Sequence, residues 1–148
     1  MKILFSALLV MTFVLILACA DSAPPVTTSA KTIYNPNGDS ELTLLMRTMF
    51  DDAMRMKQSV AEGEVPKVLA TFKAIHTAEA TEPDKAKSET FKNFANAYLA
   101  TVEALQQATP AEVKDIYEGM VASCMSCHRA MCPGPMVRIK KLHLSYQD

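Results

Sequence analysis

The sequence predicts an all-α fold, an antiparallel four-helix bundle. Four segments repeat apolar residues every three or four positions, which is the pattern of an amphipathic helix. The 148 residues include no Trp, only 4 Gly and as many as 10 Met, a composition that favours helices over a β-rich fold. The segments, of about 15–23 residues, have short connections, which indicates that neighbouring helices run in opposite directions.

The first predicted helix spans residues 40–62, with Asp39 or Ser40 as its N-cap and Gly63 after its end. The second begins at Pro66, a residue well suited to the first helical turn. Both helices are expected to face one core. Their apolar faces comprise Leu42, Leu45, Met46, Met49, Ala53, Met56 and Val60 in the first helix, and Val65, Val68, Leu69, Phe72, Ile75 and His76 in the second.

The third predicted helix starts near Ser88 and has the clearest apolar face in the chain. The fourth opens with Thr109-Pro110-Ala111-Glu112, a capping box with Pro at the first helical position, and Pro133 stops it. The two apolar faces comprise Phe91, Phe94, Ala95, Tyr98, Leu99, Val102 and Leu105 in the third helix, and Val113, Ile116, Tyr117, Met120, Val121 and Cys124 in the fourth.

The N-terminus has the pattern of an export signal. A Lys precedes an apolar run that is too short and too interrupted for a membrane-spanning helix. Ile16-Leu17-Ala18-Cys19 resembles a bacterial lipobox, in which Cys19 becomes the acylated first residue of the mature protein. Ordinary cleavage after Ala20 is the alternative. The chain therefore divides into a lipoprotein signal peptide at residues 1–18, a flexible tether at 19–38 and a folded domain at 39–148.

Cys124-Met125-Ser126-Cys127-His128 reads C-x-x-C-H, the attachment signature of c-type haem. Positions i and i+3 of a helix share a face, and i+4 lies beside them. Cys124 and Cys127 can therefore each add a thiol across one vinyl group of a single haem, while His128 reaches the iron as proximal ligand. The motif predicts one covalent haem c.

C-x-x-C also occurs in redox dithiols, in zinc sites and by chance. A redox dithiol would need a βαβ context, which the predicted helices lack. A zinc site would need a second ligand pair, and only Cys132, His76 and His143 remain for it. With Cys19 assigned to lipid and two cysteines to haem, no disulfide framework is expected. Cys132 is then either a small buried residue or a free thiol near the haem.

The position of this motif, late in the last of four helices, resembles the class II cytochromes c, the cytochrome c′ group. The resemblance covers the chain from residue 40 onward, and Gly63-Glu64-Val65-Pro66 is similar to a connector of that family. It implies a periplasmic haem protein. The chain departs from the family in two ways. It continues through Cys132-Pro133-Gly134-Pro135 and a basic tail, Arg138-Ile139-Lys140-Lys141-Leu142, and it has a predicted lipid anchor.

The resemblance implies two options for the sixth iron position. Gas-binding members leave it open on an apolar face, whereas low-spin members fill it with a Met from the first helix, which raises the reduction potential. Met46 is the first candidate, Met49 one turn further the second, and Met54 lies off the inner face. Core packing is the alternative role for each. His76 is the rival ligand, or else a buried, hydrogen-bonded side chain.

Charged residues indicate further partners. The net charge of −1 argues against nucleic-acid binding. Arg129, next to the proximal histidine, is expected to pair with the haem propionates. Arg138, Lys140 and Lys141 suit an acidic redox partner, anionic lipid headgroups or simply solvent. Class II relatives often form dimers, so a homodimer stays open.

These features predict a membrane-tethered monohaem cytochrome that carries electrons in the bacterial cell envelope. An enzyme is not expected, because the sequence has no carboxylate pair near a His, no nucleophile elbow and no phosphate loop. The alternatives are a gas-binding haem protein, with nitric oxide as the ligand by family resemblance, and a structural lipoprotein without haem. Ala20 after the acylated cysteine favours the outer membrane, and a soluble periplasmic protein is the alternative.

Overall fold

The computed structural model describes residues 38–69 and 72–147. Within these residues all regular structure is helical and no strand occurs, which confirms the all-α class. The predicted signal peptide, Cys19 and nearly all of the predicted tether lie outside these residues, and no described helix is long and apolar enough to cross a membrane. The α-helices are α1 (Glu41–Ala61), α2 (Pro83–Lys87), α3 (Glu89–Gln106), α4 (Val113–Met131) and α5 (Met136–Ile139), with 3₁₀-helices at Phe72–His76 and Lys140–Leu142.

Helix α1 begins and ends where its sequence signals predict. The Thr43 N–H donates to the Ser40 hydroxyl at 3.3 Å, so Ser40 is the N-cap. Gly63 follows the helix with a φ of +81°, a left-handed conformation that glycine adopts without strain. The predicted inner face is confirmed over the middle and end of the helix, where Met49, Ala53, Met56 and Val60 are buried.

The second predicted helix is not an α-helix in the described residues. Residues 64–69 have no regular structure, and only Phe72–His76 forms a short 3₁₀-helix. Side chains of α1 bind the backbone that a helix would use: the Leu69 N–H donates to the buried Asp52 carboxylate at 3.1 Å, and Arg55 donates to the Lys67 carbonyl. A helix starting at Pro66 would instead need the Leu69 N–H for its first internal hydrogen bond.

Helices α3 and α4 match the third and fourth predicted segments. The Phe91 N–H donates to Ser88 Oγ at 3.2 Å, which caps α3. The Glu112 carboxylate accepts from the Thr109 N–H at 3.2 Å and from its hydroxyl at 2.6 Å, so half of the predicted capping box forms. Residues 110–112 form a turn, and α4 starts at Val113 instead of Pro110.

The C-terminal segment, residues 136–142, packs back onto the long helices. Ile139 and Leu142 are buried with the core side chains of α1, α3 and α4. Tyr117 Oη on α4 lies 3.0 Å from the carbonyl oxygens of both Ala53 and Leu142, so one hydroxyl joins α4 to α1 and to this segment. The Glu118 carboxylate accepts from the Leu144 N–H at 2.6 Å and lies 2.5 Å from His143 Nδ1.

Candidate functional site

A cavity of about 60 Å³ lies among α1, α3, α4 and the C-terminal segment. It brings together all three residues of the C-x-x-C-H motif and two of the methionines predicted as iron ligands. The lining consists of Met46, Met49, Phe50, Ala53, Ile75, Phe91, Phe94, Ala95, Tyr98, Ser123, Cys124, Cys127, His128, Ile139 and Leu142.

The motif lies on the last two turns of α4, as the sequence predicts. Cys124 and Cys127 are half-buried and line the cavity together, as expected for helix positions i and i+3. The two residues between them differ in environment: Met125 is buried in the core and Ser126 is exposed. Both cysteine side chains therefore present sulfur to one apolar space from one helix face.

The two motif cysteines are protonated thiols at neutral pH. Burial, with a further contribution from Cys127, raises the pKa of Cys124 to about 12. Burial and the neighbouring Cys132 raise the pKa of Cys127 to about 11. Because the thiolate is the form that oxidants attack and metals bind, these protonated thiols are protected from oxidation and from binding metals. They keep the S–H bond that addition across a vinyl group consumes.

The ring of His128 is held in one tautomer. Its Nδ1 lies 3.1 Å from the Cys132 carbonyl oxygen, which can only accept, so Nδ1 carries the proton. Burial lowers the pKa of His128, which favours the neutral ring. In that tautomer Nε2 carries the lone pair. A hydrogen bond from the far ring nitrogen to a carbonyl is the usual support of a metal-binding histidine.

The first helix presents its methionines differently. Met49 is buried and Met46 is half-buried, and both line the cavity. Met54 is 39% exposed and lines no part of it, as its position off the inner face predicts. The structure thus offers two thioether sulfurs on the same cavity as His128, and α1 supplies both.

A second cavity of about 280 Å³ adjoins the first. The two share Met46, Phe91, Cys127 and His128, so they meet at the motif. The lining of the second also includes hydroxyl and charged side chains, those of Ser40, Thr43, Thr81, Glu82 and Lys85.

Several predicted residues lie elsewhere. Arg129 is exposed and lines neither cavity, because the residue after His128 on a helix points about 100° away from it. His76 is also exposed and lines neither cavity, since the helix expected to orient it does not form. Cys132 is an exposed free thiol that lines the second cavity, with its sulfur 3.3 Å from His128 Nδ1.

The basic tail contacts α1 through Arg138. The Arg138 guanidinium lies 4.2 Å from the centre of the Phe50 ring and 3.3 Å from the Asp51 carboxylate. Arg138 therefore contacts a residue that lines the first cavity. Lys140 is exposed and Lys141 is half-buried.

Sequence reasoning missed other residues of the site. The apolar spacing predicts Phe91, Phe94 and Tyr98 only as core residues of α3, yet they line the cavity, and Phe91 lines both cavities. Lys85, on the short helix α2, belongs to none of the predicted sites. Its side chain approaches the motif only through the tertiary fold, so no local pattern marks it.

Among the described residues, no group of three or more His, Cys, Asp or Glu side chains is arranged to hold a bare metal ion. No protein-family model, curated protein or solved structure matches the chain.

Proposed function

We propose that this protein is a membrane-tethered monohaem c-type cytochrome that carries electrons in the bacterial cell envelope. The observation that carries the proposal is the single apolar cavity lined by Cys124, Cys127 and His128 from α4 and by Met46 and Met49 from α1. This donor set fits a haem: two thiols on one helix face, an imidazole with its Nε2 lone pair available and a thioether from another helix.

When bound, haem c supplies an iron that cycles between Fe(III) and Fe(II) without making or breaking substrate bonds. The residues around it have separate roles. Cys124 and Cys127 would hold it through two thioether bonds, one from each S–H and one vinyl C=C. His128 would be the proximal ligand, oriented by the Cys132 carbonyl. Phe91 and Tyr98 would exclude water from the haem ring.

The proposed scaffold is a variant of the antiparallel four-helix bundle. Helices α1, α3 and α4 correspond to three of its helices, and the described residues 64–69 and 72–80 occupy the place of the fourth. Phe72 and Ile75 of that segment are buried, and the Phe72 ring packs edge-on against Tyr98 with ring centres 5.8 Å apart. The segment therefore closes the core on the side where the sequence pattern predicted a helix.

Visible spectra of the purified protein, with and without CO, test the proposal. We expect a covalent c-type haem whose ferrous spectrum is low-spin and unchanged by CO, because a thioether ligand blocks added gases. Met46→Ala should convert the iron to a high-spin, CO-binding form. Met54→Ala, which alters an exposed methionine outside the cavity, is the matched control and should leave the spectrum unchanged.

The other outcomes are equally specific. If Met49→Ala, and not Met46→Ala, gives the high-spin form, Met49 is the ligand. Absence of a haem spectrum from protein made in a host that matures c-type cytochromes would overturn the proposal and leave the structural lipoprotein as the alternative.

Gas binding, with nitric oxide as the ligand, is the second candidate. The apolar cavity favours it, since Phe50, Ile75, Phe91 and Phe94 would surround an open iron position. Rapid CO binding to high-spin ferrous wild-type protein would replace electron transfer by this function. The proposed partners, redox proteins of the envelope and a membrane reached through acylated Cys19, apply to both candidates, and a homodimer stays compatible with either.

A further inference from the structure

The two cavities that meet at the C-x-x-C-H motif differ in the side chains that line them, which include charged residues only around the second. Cys124, the first attachment residue, lines only the first cavity, whereas Cys127 and His128 line both. The first cavity has no Asp, Glu, Lys or Arg among its described lining residues. The second has the hydroxyls of Ser40, Thr43 and Thr81 and the charges of Glu82 and Lys85.

A haem is itself divided in this way. Its vinyl edge is apolar and attaches to the cysteines, and the opposite edge has two propionate carboxylates. Burying an unpaired carboxylate in an apolar space is strongly unfavourable, so the first cavity is unsuitable for the propionates. The second cavity lies next to the motif and can receive the propionates of a haem held there. Four residues line both cavities: Met46, Phe91, Cys127 and His128.

We propose that the second cavity receives the haem propionates and that Lys85 is their cationic partner. This inference rests on the proposed haem function. Lys85 is the one Lys or Arg among the described residues that line either cavity. Arg129, the partner expected from the sequence, lines neither.

The present partner of Lys85 leaves it able to take this role. Its Nζ lies 2.6 Å from the Glu82 carboxylate, and the two side chains are 43% and 65% exposed. Exposed pairs of this kind contribute little stability, so the ammonium group can turn to a second carboxylate at small cost. The three N–H donors of its ammonium group also allow Lys85 to bind the Glu82 carboxylate and a propionate at the same time. Thr81 Oγ1 and Ser40 Oγ, 3.1 Å apart, add neutral donors on the same cavity.

The test compares Lys85→Gln with Lys87→Gln and Arg129→Gln in the haem-loaded protein. Lys87 is the matched control, an exposed lysine on the same short helix that lines neither cavity. Resonance Raman spectroscopy reads hydrogen bonding to the propionates through their bending band. We expect this band to shift in Lys85→Gln alone and Lys85→Arg to restore it.

The reduction potential provides a second readout. A cation beside the propionates disfavours Fe(III), so its removal should lower the ratio of ferrous to ferric protein at a fixed solution potential about threefold, which is about 28 mV for one electron. If the wild-type protein binds haem, either of two results would overturn this inference alone. One is a Raman band that does not shift in Lys85→Gln, and the other is a band that shifts in Arg129→Gln instead. Wild-type protein without haem would overturn the proposed function.

Discussion

At the scale of single residues, Cys132 acts on the site through its backbone. Two of its groups reach His128 Nδ1: the carbonyl oxygen at 3.1 Å and the thiol sulfur at 3.3 Å. The carbonyl cannot donate, so it decides that Nδ1 is the protonated nitrogen, and the sulfur can then only accept weakly. Of the two roles left open by the sequence, a buried filler and a free thiol near the proposed haem, the exposed thiol matches the structure.

Tyr117 is the residue whose hydroxyl is expected to matter most for stability. Burial, then the nearby Glu118 carboxylate and Cys124, raise its pKa, so the hydroxyl stays a donor at neutral pH. Tyr117→Phe leaves the buried carbonyls of Ala53 and Leu142 without that donor and should lower the free energy of unfolding by about 2 kcal/mol. Denaturant titration followed by circular dichroism measures this loss.

Tyr146→Phe is the control for that prediction. Tyr146 is 39% exposed, so the same deletion of one oxygen should change the free energy of unfolding by less than about 0.5 kcal/mol. Equal losses in the two variants would mean that the Tyr117 hydroxyl does not join α4 to its neighbours.

At the scale of helices, the sequence predicts elements whose determinants are local. The caps Ser40 and Ser88 and the apolar faces of α1, α3 and α4 are local features, and these helices form where the pattern indicates. The second predicted segment has an equally good apolar spacing, but the backbone groups of Leu69 and Lys67 bond to Asp52 and Arg55 of α1 instead. Those side chains are 12 to 17 positions away, so a periodicity argument does not include them.

The start of α4 leads to a prediction about pH. The hydrogen bonds from the Thr109 hydroxyl and then from its N–H lower the pKa of Glu112 below its ordinary value of 4.5. Because the folded-state pKa is the lower one, the ionised carboxylate stabilises the fold above the unfolded-state value, and this contribution is lost as pH falls through the folded-state pKa. Glu112→Gln should therefore lower the melting temperature at pH 7.

The difference between wild type and Glu112→Gln should close as the pH falls from 4.5 through the folded-state pKa of this side chain. Glu103→Gln, which changes an exposed carboxylate on α3, controls for net charge. Thermal melts of the three proteins at pH 7 and pH 3 make the comparison. A gap of the same size at both values would show that Glu112 does not act through its charge.

At the scale of the whole molecule, the candidate site combines a local motif with a tertiary assembly. Cys124, Cys127 and His128 could be found from the sequence because five consecutive residues define them. Met46 and Met49 could be ranked because the first helix was predicted with the right face inward. Phe91 and Lys85 could not be found from the sequence. Phe91 has the spacing of an ordinary core residue, and Lys85 lies on a helix of only five residues. Their contribution depends on how α2 and α3 pack around α4.

The predicted lipid anchor, Cys19, lies in the chain before the described residues. A triacylated Cys19 should hold the protein in the membrane fraction, because several acyl chains bind a bilayer far more firmly than one. Cys19→Ser should release the protein and leave its visible spectrum unchanged, since the motif lies more than one hundred residues further along the chain. Cell fractionation of the expressing bacterium and intact-mass measurement follow the two effects separately.

Cys132→Ser is the control for the anchor, because it removes an exposed thiol of the folded domain and should leave the protein in the membrane fraction. The mass identifies each alternative. Wild-type protein that is soluble and begins after Ala20 would replace the lipoprotein by an ordinary periplasmic protein. A Cys19→Ser protein that keeps residues 1–18 would stay membrane-bound through its uncleaved signal. Only protein that has lost the signal and left the membrane shows that the acyl chains are the anchor.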